Sequence, residues 1–415
     1  MSATANSPIT IIGAGIVGLC VAYTLRKEGL AVRVIDPEEP GSQCSFGNAG
    51  AISAGSIAPL AMPGILKNSA KMLLDPDSPL HVPPHYWLRA APWLWRFVRS
   101  ATPQRVEEIA SALTDLFAGA VENHRALARE VGCPERVVQT GQLHLYRDEA
   151  ALQKDAGTWR LRERHGVRCE RLEADAIRAL EPAVSRDYTV AMFMPDQGAV
   201  THPFAYAQAI AEAARQRGVT FVRDRVQALT REANGWMVQG MHQGYRSAQV
   251  VLAAGAWSAQ LLRPMGLHVP LESQRGYHLH VASPNVKIGR PVVFADRKVF
   301  AAPMEHGLRI SGTVEFGGLE MPPTARRAAA LGDAAVQGLP GLKLDTPTVW
   351  MGHRPCLPDS LPVLGPVRRH PGLWCAFGHG HLGVTGSVNT GRWIAEGLAG
   401  KMENDRFSPF AVERF

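Results

Sequence analysis

The chain of 415 residues lacks the patterns that mark several large classes of protein. Its six cysteines are scattered, and no two stand in a Cys-x-x-Cys spacing, so we predict no zinc, iron–sulfur or other metal site. No run of about 18 apolar residues is present that could span a membrane, and residues 1–8 contain no basic segment of the kind that begins a signal peptide. Scattered cysteines are typical of a reducing compartment, so we expect a cytoplasmic protein.

Long blocks of like charge, internal repeats and low-complexity tracts are also missing. The formal net charge of +7 is spread along the chain, which does not indicate binding to nucleic acid. A hydrophobic content of 46% is ordinary for a globular protein. The length allows two or three domains.

What is present begins with a strand–helix–strand unit at the N-terminus. Residues 9–12 form a β-branched run typical of a buried parallel strand, and the sequence Gly13-Ala14-Gly15-Ile16-Val17-Gly18 follows. The first glycine permits a tight turn, the second lets the backbone approach a pyrophosphate, and the third lets the helix pack on the strand. Asp36 ends the second strand, where its carboxylate can accept ribose hydroxyls. The motif predicts a dinucleotide, NAD or FAD, and residues 37–40 contain no basic residue that would favour NADP.

A second glycine-rich loop near the C-terminus favours FAD. We predict a strand over residues 373–377, a loop over residues 378–386 and a final helix over about 387–399. Reduced flavin is negatively charged at N1 and the C2 carbonyl, and a helix N-terminus stabilises negative charge.

Hydrophobic periodicity predicts the remaining elements. Helices are expected over 104–131, 151–165 and 204–217, the last with Thr201 as its cap and Gly218 as its stop. Strands are expected over 143–146, 219–222 and 250–253, and residues 275–315 alternate in the manner of antiparallel strands.

The region from Ala58 to about Arg105 is rich in proline and tryptophan. Its residues 85–99 mix tryptophan and phenylalanine with arginine, which suits a membrane interface or the docking of a partner subunit. The interpretation we favour is a proline-broken insertion without clear helical periodicity that packs its aromatic side chains on its own domain.

Short motifs in a fixed order along nearly the whole chain resemble the FAD-dependent amino-acid oxidase superfamily, which includes D-amino-acid oxidase, glycine oxidase and sarcosine oxidase. Within it, the chain is most similar to the bacterial D-amino acid dehydrogenases of the small-subunit type. The matching motifs are Gly13–Gly18, Ser45–Gly50, Thr140–Leu143, Leu172–Ala174 with Glu181-Pro182, Ala253–Ser258, Gly276-Tyr277, Gly352–Pro355 and Gly378–Gly380.

The resemblance implies an α/β fold with a Rossmann-like FAD-binding domain built from discontinuous segments, and an α+β substrate domain with a mixed or antiparallel sheet. We expect the FAD-binding domain to comprise residues 1–57, 196–262 and 345–415. The substrate or cap domain then comprises residues 58–195 and 263–344.

The resemblance also implies the oxidative deamination of a D-amino acid, or of a cyclic imino acid such as D-proline or hydroxy-D-proline. A hydride passes from the substrate α-carbon to flavin N5, and electrons then go to a quinone-type acceptor. Such an enzyme would be cytoplasmic or peripheral on the inner face of the membrane. Three alternatives stay open: an amine oxidase of the glycine or sarcosine type, a 2-hydroxyacid oxidase, and a flavin subunit of a larger dehydrogenase complex.

Three residues are expected in the catalytic site. Arg354 is expected to grip the substrate carboxylate with two parallel charge-assisted hydrogen bonds, although a structural ion pair would also explain it. By resemblance, the Tyr277 hydroxyl donates to the same carboxylate, with an aromatic on an edge strand as the alternative. His379 lies in the flavin loop, where its ring or backbone would touch the isoalloxazine. No general base is needed if the amine binds neutral, since orientation and a dry site then suffice.

The resemblance assigns further residues to the cofactor. Val226 would hold adenine through its backbone, and Ser45 and Asn48 would meet the pyrophosphate or the flavin edge. His278 and His280 share the strand face opposite Tyr277, and we expect surface histidines rather than metal ligands there. His353 and His381 depart from the family's usual residues, so the substrate preference can differ from that of a D-alanine enzyme. The full set of expected cofactor contacts is Gly13, Ala14, Gly15, Ile16, Val17, Gly18, Asp36, Ser45, Asn48, Ala49, Gly50, Val226, Ala254, Gly255, Trp257, Gly378, Gly380, His381, Leu382 and Gly383.

Overall fold

Two large sheets organise the molecule, whose computed structural model describes residues 7–64 and 80–415. The first, called the parallel sheet here, has six strands. Five of them run parallel, and the edge strand 363–366 is antiparallel. In spatial order the strands are Thr220–Arg223, Val32–Asp36, Ile9–Ile12, Val250–Leu252, Leu373–Phe377 and Val363–Pro366.

Both faces of the parallel sheet are covered, which explains why its central strands Ile9–Ile12, Val250–Leu252 and Leu373–Phe377 are buried along their whole length. The helices Ile16–Lys27, Pro203–Gln216 and Gly383–Leu398 belong to the core on one face. The first and last of these pack so closely that a Cβ atom on Gly391 would lie 2.8 Å from the carbonyl oxygen of Cys20. The other face packs on an antiparallel sheet of three strands, Val226–Glu232, Gly235–Gly240 and Gly244–Ser247. This is the predicted Rossmann-like architecture.

The second sheet, called the large sheet here, has mixed strand directions. Helices Ala325–Gly338 and Ala174–Leu180 cover one of its faces, where they share an apolar core with the strands. In spatial order its strands are Thr348–Cys356, Glu272–Val281, Gly307–Phe316, Val299–Met304, Val292–Phe294, Gln142–Tyr146, Val190–Met194 and Glu170–Glu173, with Leu80–His81 pairing to Gly307–Phe316.

A third small sheet and several further helices connect the two. The small sheet consists of Ala51–Ile52, Gly198–Val200 and Val137–Gln139. The remaining α-helices of the described ranges are Trp87–Arg99, Pro103–Phe117, Ala120–Glu130, Glu149–Lys154, Ala156–Arg164 and Ser258–Leu262. Within residues 7–64 and 80–415, no helix is both long enough and apolar enough to cross a membrane.

Several predicted elements differ from the observed ones. The helix expected over 104–131 is interrupted at Gly119, whose φ of 64° is left-handed, and the one expected over 151–165 is interrupted at Asp155. His202, and not Thr201, caps the helix Pro203–Gln216, because its Nδ1 accepts a hydrogen bond from the amide of Ala205. The final helix begins at Gly383, four residues earlier than predicted.

The expectation of an irregular segment at residues 85–99 is wrong, since Trp87–Arg99 is an amphipathic helix. Its buried Trp93 packs against Phe316 and Phe97, with ring centroids 5.3 Å apart in each pair. The aromatic side chains therefore pack on their own domain only in part. The proline-rich stretch before this helix lies partly outside the described residues.

One predicted domain boundary also shifts. The strand Thr348–Cys356 pairs along its whole length with Glu272–Val281 in the large sheet, although residues from 345 onward were expected in the FAD-binding domain. The paired residues of these two strands are 68 to 84 residues apart in the sequence, so no local pattern reveals the pairing. Arg354 consequently belongs to the large sheet.

Candidate active site

The carboxyl ends of the five parallel strands lie at one edge of the parallel sheet, where open α/β sheets bind their ligands. The turn after strand Ile9–Ile12 leads into one helix at this edge, and the loop after strand Leu373–Phe377 leads into another. Neither helix is capped by the side chain of its own N-cap residue. Two positive dipole ends therefore face the same edge, which suits a ligand with two negatively charged parts.

The three glycines of the first turn occupy different environments. Gly13 has φ of 109°, and an added Cβ would lie 2.4 Å from the carbonyl oxygen of Ala253, while one on Gly18 would lie 2.0 Å from the Gly13 oxygen. A Cβ on Gly15 would instead meet only Ser45 Oγ, at 3.7 Å. The first and third glycines are thus required by packing, and the second leaves open space for a ligand above the backbone.

Asp36 lies at the same edge, beside the strand that leads to Val226. Its Oδ2 accepts from the Ala14 amide at 2.6 Å and its Oδ1 from the Glu38 amide at 2.8 Å. Burial raises the pKa of Asp36, and these two amides oppose the shift. Arg223 is its register partner on the neighbouring strand, and Val226 follows three residues later. Carboxylate and strand are therefore adjacent, as a site for ribose and adenine requires.

The loop Ser45–Gly50 connects the two sheets. Ser45 Oγ accepts from the amide of Ile16 at 2.9 Å, which ties the loop to the first helix N-terminus. Farther along, the Gly47 carbonyl lies 3.0 Å from His278 Nδ1 on the large sheet, and Asn48 Oδ1 accepts from the Gly50 amide at 2.7 Å. Gly50, with φ of 76°, accepts from the amide of Val200 at 2.6 Å. The loop, including Ala49, thus lies against the face of the large sheet that its helices leave open.

Strand register identifies the side chains on this open face. Gln274 pairs with Arg354, Gly276 with Gly352, and His278 with Trp350, and directly paired residues share a face. The rings of His278 and Trp350 are stacked, with centroids 5.2 Å apart. Because His278 also contacts Gly47, this face is the one turned toward the loop and the parallel sheet.

Arg354 lies across this face. Its Nη1 donates to the carbonyl of Thr313 at 2.8 Å and its Nη2 to the carbonyl of Gly312 at 3.4 Å. No carboxylate pairs with it among the described residues, so the structural ion pair considered as its alternative role is absent there. The side chain is surrounded by protein, which lowers its pKa, yet it keeps accessible surface. A fixed guanidinium with free N–H groups at an internal opening is suited to bind an anionic group.

Tyr277 lies on the opposite face of the large sheet from Arg354, so the prediction that both residues contact one carboxylate is wrong. Alternation along the strand turns its side chain to the helix-covered face. There its hydroxyl donates to Glu315 Oε2 at 2.6 Å and accepts from the Thr324 amide at 2.9 Å. Glu315 also forms a buried ion pair with Arg275 at 2.6 Å. Tyr277 is therefore part of a buried polar cluster in the core.

The two histidines of the C-terminal loop have opposite environments. His379 is buried, and its Nε2 lies 3.0 Å from Thr390 Oγ1 on the following helix, so its ring faces the protein interior and the predicted catalytic contact of this ring is not supported. His381 has exposed surface although protein surrounds it, as expected for the wall of an internal opening. Burial lowers the pKa of each to about 4, and Arg354 contributes to the shift at His381.

The other predicted positions occupy the same edge. Gly378 and Gly380 have φ of 88° and 58°, and Leu382 and Gly383 begin the last helix. Gly255 has φ of 53° with open space at its Cβ position, next to Ala254. Trp257 packs edge-on against His353 at 5.5 Å, and His353 Nδ1 lies 2.8 Å from Ser273 Oγ.

Sequence reasoning missed two residues of this region and misjudged a third. Arg309 is buried and donates through Nη1 to the carbonyls of Phe46 and Asn48, which fastens the loop to the large sheet. Thr313 has φ of 56°, a strained value for a β-branched residue, and its carbonyl orients Arg354. His278, expected at the surface, is 3% exposed. Within the described part of the chain, no cluster of three or more metal-ligating side chains occurs.

These features fit FAD. The open space at Gly15 and the N-terminus of helix Ile16–Lys27 suit the pyrophosphate, Asp36 suits the ribose, and the N-terminus of helix Gly383–Leu398 suits the flavin. The family model described as FAD dependent oxidoreductase matches residues 8–397. The chain belongs to this family, and it is an FAD-dependent oxidoreductase.

Curated relatives are similar over their whole length. The D-amino-acid oxidase of Bradyrhizobium diazoefficiens is 38% identical over 415 residues, covering 98% of each chain. A D-amino acid dehydrogenase of the same organism is 31% identical over 98% of each chain. The D-amino acid dehydrogenase of Dechloromonas aromatica is 31% identical over 97% of this chain and 99% of its own.

Solved structures support the fold. Glycine oxidase from Geobacillus kaustophilus superposes with a TM-score of 0.78 at 20% identity, covering 98% of each chain. L-proline dehydrogenase from P. horikoshii superposes with a TM-score of 0.76 at 20% identity, covering 99% of this chain and 98% of that one.

Proposed function

We propose that the protein oxidises the α-carbon of a D-amino acid, or of a cyclic imino acid such as D-proline, and passes the electrons to a quinone-type acceptor. The observation that carries this proposal is the position of Arg354. Its guanidinium is held by two main-chain carbonyls on the face of the large sheet that meets the loop Ser45–Gly50. The names of the curated relatives support the substrate class.

In this proposal the protein binds and orients, and the cofactor supplies the redox chemistry. FAD, when bound, would take up the hydride that the α-carbon loses, and this hydride carries both electrons. Arg354 pairs with the carboxylate through its free N–H groups, which fixes the α-carbon relative to the cofactor. A primary D-amino acid becomes an imine, which water then hydrolyses to a keto acid and ammonia, whereas D-proline becomes a cyclic imine that releases no ammonia. The neutral imidazole of His381 at the opening adds no positive charge that would repel a substrate amine.

The residues assigned to the cofactor are those of the glycine turn, Asp36, the loop Ser45–Gly50, Val226 and the C-terminal loop. The same geometry accommodates glycine, sarcosine or a 2-hydroxy acid, because each of these also presents a carboxylate to Arg354. These substrates remain the competing candidates, together with a role as one flavin subunit of a larger complex.

The deciding experiment is anaerobic reduction of the bound flavin by a panel of substrates. The panel contains D- and L-amino acids, D-proline, glycine, sarcosine and 2-hydroxy acids, and absorbance at the flavin band reports reduction. We expect reduction by D-amino or D-imino acids. Reduction by only glycine, sarcosine or a hydroxy acid would contradict the proposal. Turnover of the purified chain with an artificial dye would contradict the subunit alternative.

The acceptor is tested separately, since curated relatives are named both oxidases and dehydrogenases. We infer that a soluble quinone analogue reoxidises the reduced protein faster than oxygen does. Helix Trp87–Arg99 supports a membrane-held acceptor, because it carries three arginines and no acidic residue and leaves Leu88 92% and Trp95 59% exposed. Reoxidation by oxygen at the greater rate would contradict this inference.

A further inference from the structure

A continuous row of side chains crosses the open face of the large sheet between Arg354 and the loop. His278 pairs with Ser311, Ser311 with Phe300, Phe300 with Val293, and Val293 with His144. Paired residues share a face, so all of them point to the side on which His278 contacts Gly47. Ser311, Phe300, Val293 and His144 are called the cross-strand row below.

Two apolar members of the row are not packed into an apolar core, whereas the residues next to them along the strands are. Phe300 and Val293 are partly exposed, and neither joins the apolar cores formed by the described residues. The adjacent residues Val299, Ala301, Val292 and Phe294 point the other way and are buried in the core under helix Ala325–Gly338. An aromatic ring and a valine side chain that stay open inside a molecule form a surface for an apolar group.

The polar ends of the row are neutral. Ser53 Oγ donates to Gln142 Oε1 at 2.6 Å, which leaves Gln142 Nε2 to donate to His144 Nε2 at 3.0 Å. An imidazole that accepts at this nitrogen and is surrounded by protein stays uncharged, and burial lowers the pKa of His144 well below its ordinary value. Ser311 is 8% exposed, and its hydroxyl has no hydrogen-bond partner.

The row contains no carboxylate, and its charged neighbours are cations. Arg309 lies two residues before Ser311 on the same strand, and Lys298 lies close enough to His144 to lower its pKa. The acidic residue on this face of the strand Glu272–Val281 is Glu272, six residues from His278 or about 20 Å along the strand. It accepts from the Tyr86 hydroxyl at 2.9 Å. A positively charged side chain beside the row would therefore lose its hydration without gaining a partner.

We propose that the cross-strand row is the floor of the compartment for the substrate side chain, and that it selects D-amino acids with uncharged apolar side chains over those with an ammonium or guanidinium group. Gly312 and Thr313, whose carbonyls hold Arg354, directly follow Ser311, so the carboxylate clamp lies at one end of the row. This inference rests on the proposed function, because it places the side chain of the same amino acid that Arg354 binds.

The first test compares D-norleucine with D-lysine, which have the same carbon skeleton and differ by the terminal ammonium. With the FAD-loaded protein and a dye acceptor, we expect kcat/KM to favour D-norleucine by at least about tenfold. Phe300→Glu places a carboxylate in the row and should shift the ratio toward D-lysine by about tenfold or more. Phe300→Gln introduces a side chain of the same shape as glutamate but without its charge, so it should not produce that shift.

The matched control places the same charge elsewhere on the sheet. Val349 lies on the opposite face of the strand Thr348–Cys356 and is 56% exposed, so Val349→Glu should leave the ratio unchanged. An equal preference in the wild type, or the same shift in Val349→Glu and Phe300→Glu, would overturn the inference. Loss of FAD from Phe300→Gln would also overturn it, because the row would then hold the cofactor and not the side chain.

A second readout does not depend on turnover and also serves if Phe300→Glu does not fold. The unreactive acids 3-phenylpropanoate and propanoate share a carboxylate, and their binding perturbs the absorption of bound flavin. We expect 3-phenylpropanoate to bind more tightly, and Phe300→Ala to reduce that advantage by about tenfold. An unchanged advantage would overturn the inference. If no D-amino acid reduces the flavin but this advantage depends on Phe300, the proposed function fails while the apolar compartment stands.

Discussion

The guanidinium of Arg354 lies directly over Gly276, so that a Cβ atom at position 276 would come within 2.1 Å of Arg354 Cζ. Two strands meet there, since Gly276 pairs with Gly352 and Arg354 with Gln274. The absence of a side chain at residue 276 therefore sets how close the guanidinium lies to the sheet. The glycine of this Gly-Tyr motif contributes to the site, whereas its tyrosine lies on the other face.

Gly276→Ala is expected to displace the guanidinium while the protein still folds, because the overlapping atoms are the end of a flexible side chain. Loss of well-placed charge-assisted hydrogen bonds predicts a fall in kcat/KM of about a hundredfold, mainly through KM. Steady-state kinetics with a dye acceptor measure it. The control is Gly157→Ala, since an added Cβ there meets no atom within 4 Å. Similar kinetics for both variants would contradict the assigned position of Arg354.

Tyr277→Phe is expected to lower stability and to leave substrate binding nearly unchanged. The substitution leaves the buried Glu315 carboxylate and the Thr324 amide without the hydroxyl that serves both, which costs about 1–3 kcal/mol in the free energy of unfolding. Denaturant unfolding and KM measurements separate the two effects. A large rise in KM at unchanged stability would restore the tyrosine to the substrate site.

Gly15→Ala is expected to weaken FAD binding and to spare the fold of the apoprotein. The added Cβ meets only Ser45 Oγ, at 3.7 Å, and φ of −70° with ψ of 171° suits alanine. A methyl group here occupies the approach of the pyrophosphate, so we expect an affinity at least about tenfold lower. Fluorescence titration of the apoprotein with FAD measures it. Gly18→Ala, which overlaps the Gly13 oxygen at 2.0 Å, should instead destabilise the apoprotein, and the reverse pattern would contradict these assignments.

Buried His124 predicts a loss of stability in mild acid. Burial lowers the pKa of His124 to about 4, while its Nε2 lies 2.7 Å from the Val384 carbonyl and its Nδ1 3.1 Å from the Tyr206 hydroxyl. Because the folded pKa is depressed, the unfolded chain binds the proton first. The contribution is present above about pH 6.5 and is lost as the pH falls toward 4, amounting to about 3 kcal/mol in full.

His124→Gln should therefore make the free energy of unfolding less dependent on pH, with a difference from the wild type of about 2 kcal/mol between pH 7 and pH 5. Denaturant unfolding of the FAD-saturated protein at the two pH values measures this. His306→Gln, at an exposed position, serves as the control. Parallel stability curves for His124→Gln and the wild type would contradict the prediction.

The double substitution Leu88→Ser with Trp95→Ser is expected to reduce binding to anionic lipid vesicles. These side chains project from helix Trp87–Arg99, and the Arg99 guanidinium lies 4.7 Å from the Trp95 ring centroid. Removing both apolar contacts should weaken binding by about tenfold or more. Sedimentation with vesicles measures it, and Met241→Ser, at another exposed apolar residue, is the control. Equal sedimentation of all three proteins would contradict the prediction that Leu88 and Trp95 contact lipid.

The cofactor edge was predictable from sequence because its determinants are local. A glycine triplet between a strand and a helix requires the same turn wherever it occurs, and the structure gives Gly13, Gly15 and Gly18 the environments expected of them. The C-terminal glycine-rich loop was predictable for the same reason, because it also joins a strand to a helix. The observed helices and strands of this domain begin and end within a few residues of their predicted bounds.

The faces of the large sheet could not be predicted. Alternation along the strand correctly placed Tyr277 and His278 on opposite faces of the sheet. It could not show which residue is turned toward the loop Ser45–Gly50, because that depends on a contact with Gly47, more than 200 residues away. The cross-strand row draws on four strands, so no local spacing reveals it. Helix Trp87–Arg99 was missed because Pro92 and the prolines before it argue against a helix, whereas packing of Trp93 on Phe316 stabilises one.

The clamp on Arg354 uses carbonyl oxygens, which every residue type supplies at positions 312 and 313. In the proposed site, the hold on the carboxylate therefore does not depend on the side chains of the cross-strand row, although it does depend on the absence of a side chain at Gly276. Under the proposed function, substitutions at Phe300 or Val293 would change which side chains are accepted without altering the carbonyl groups that hold Arg354. In the proposed site, binding of the carboxylate and choice among side chains would therefore rest on different parts of the large sheet.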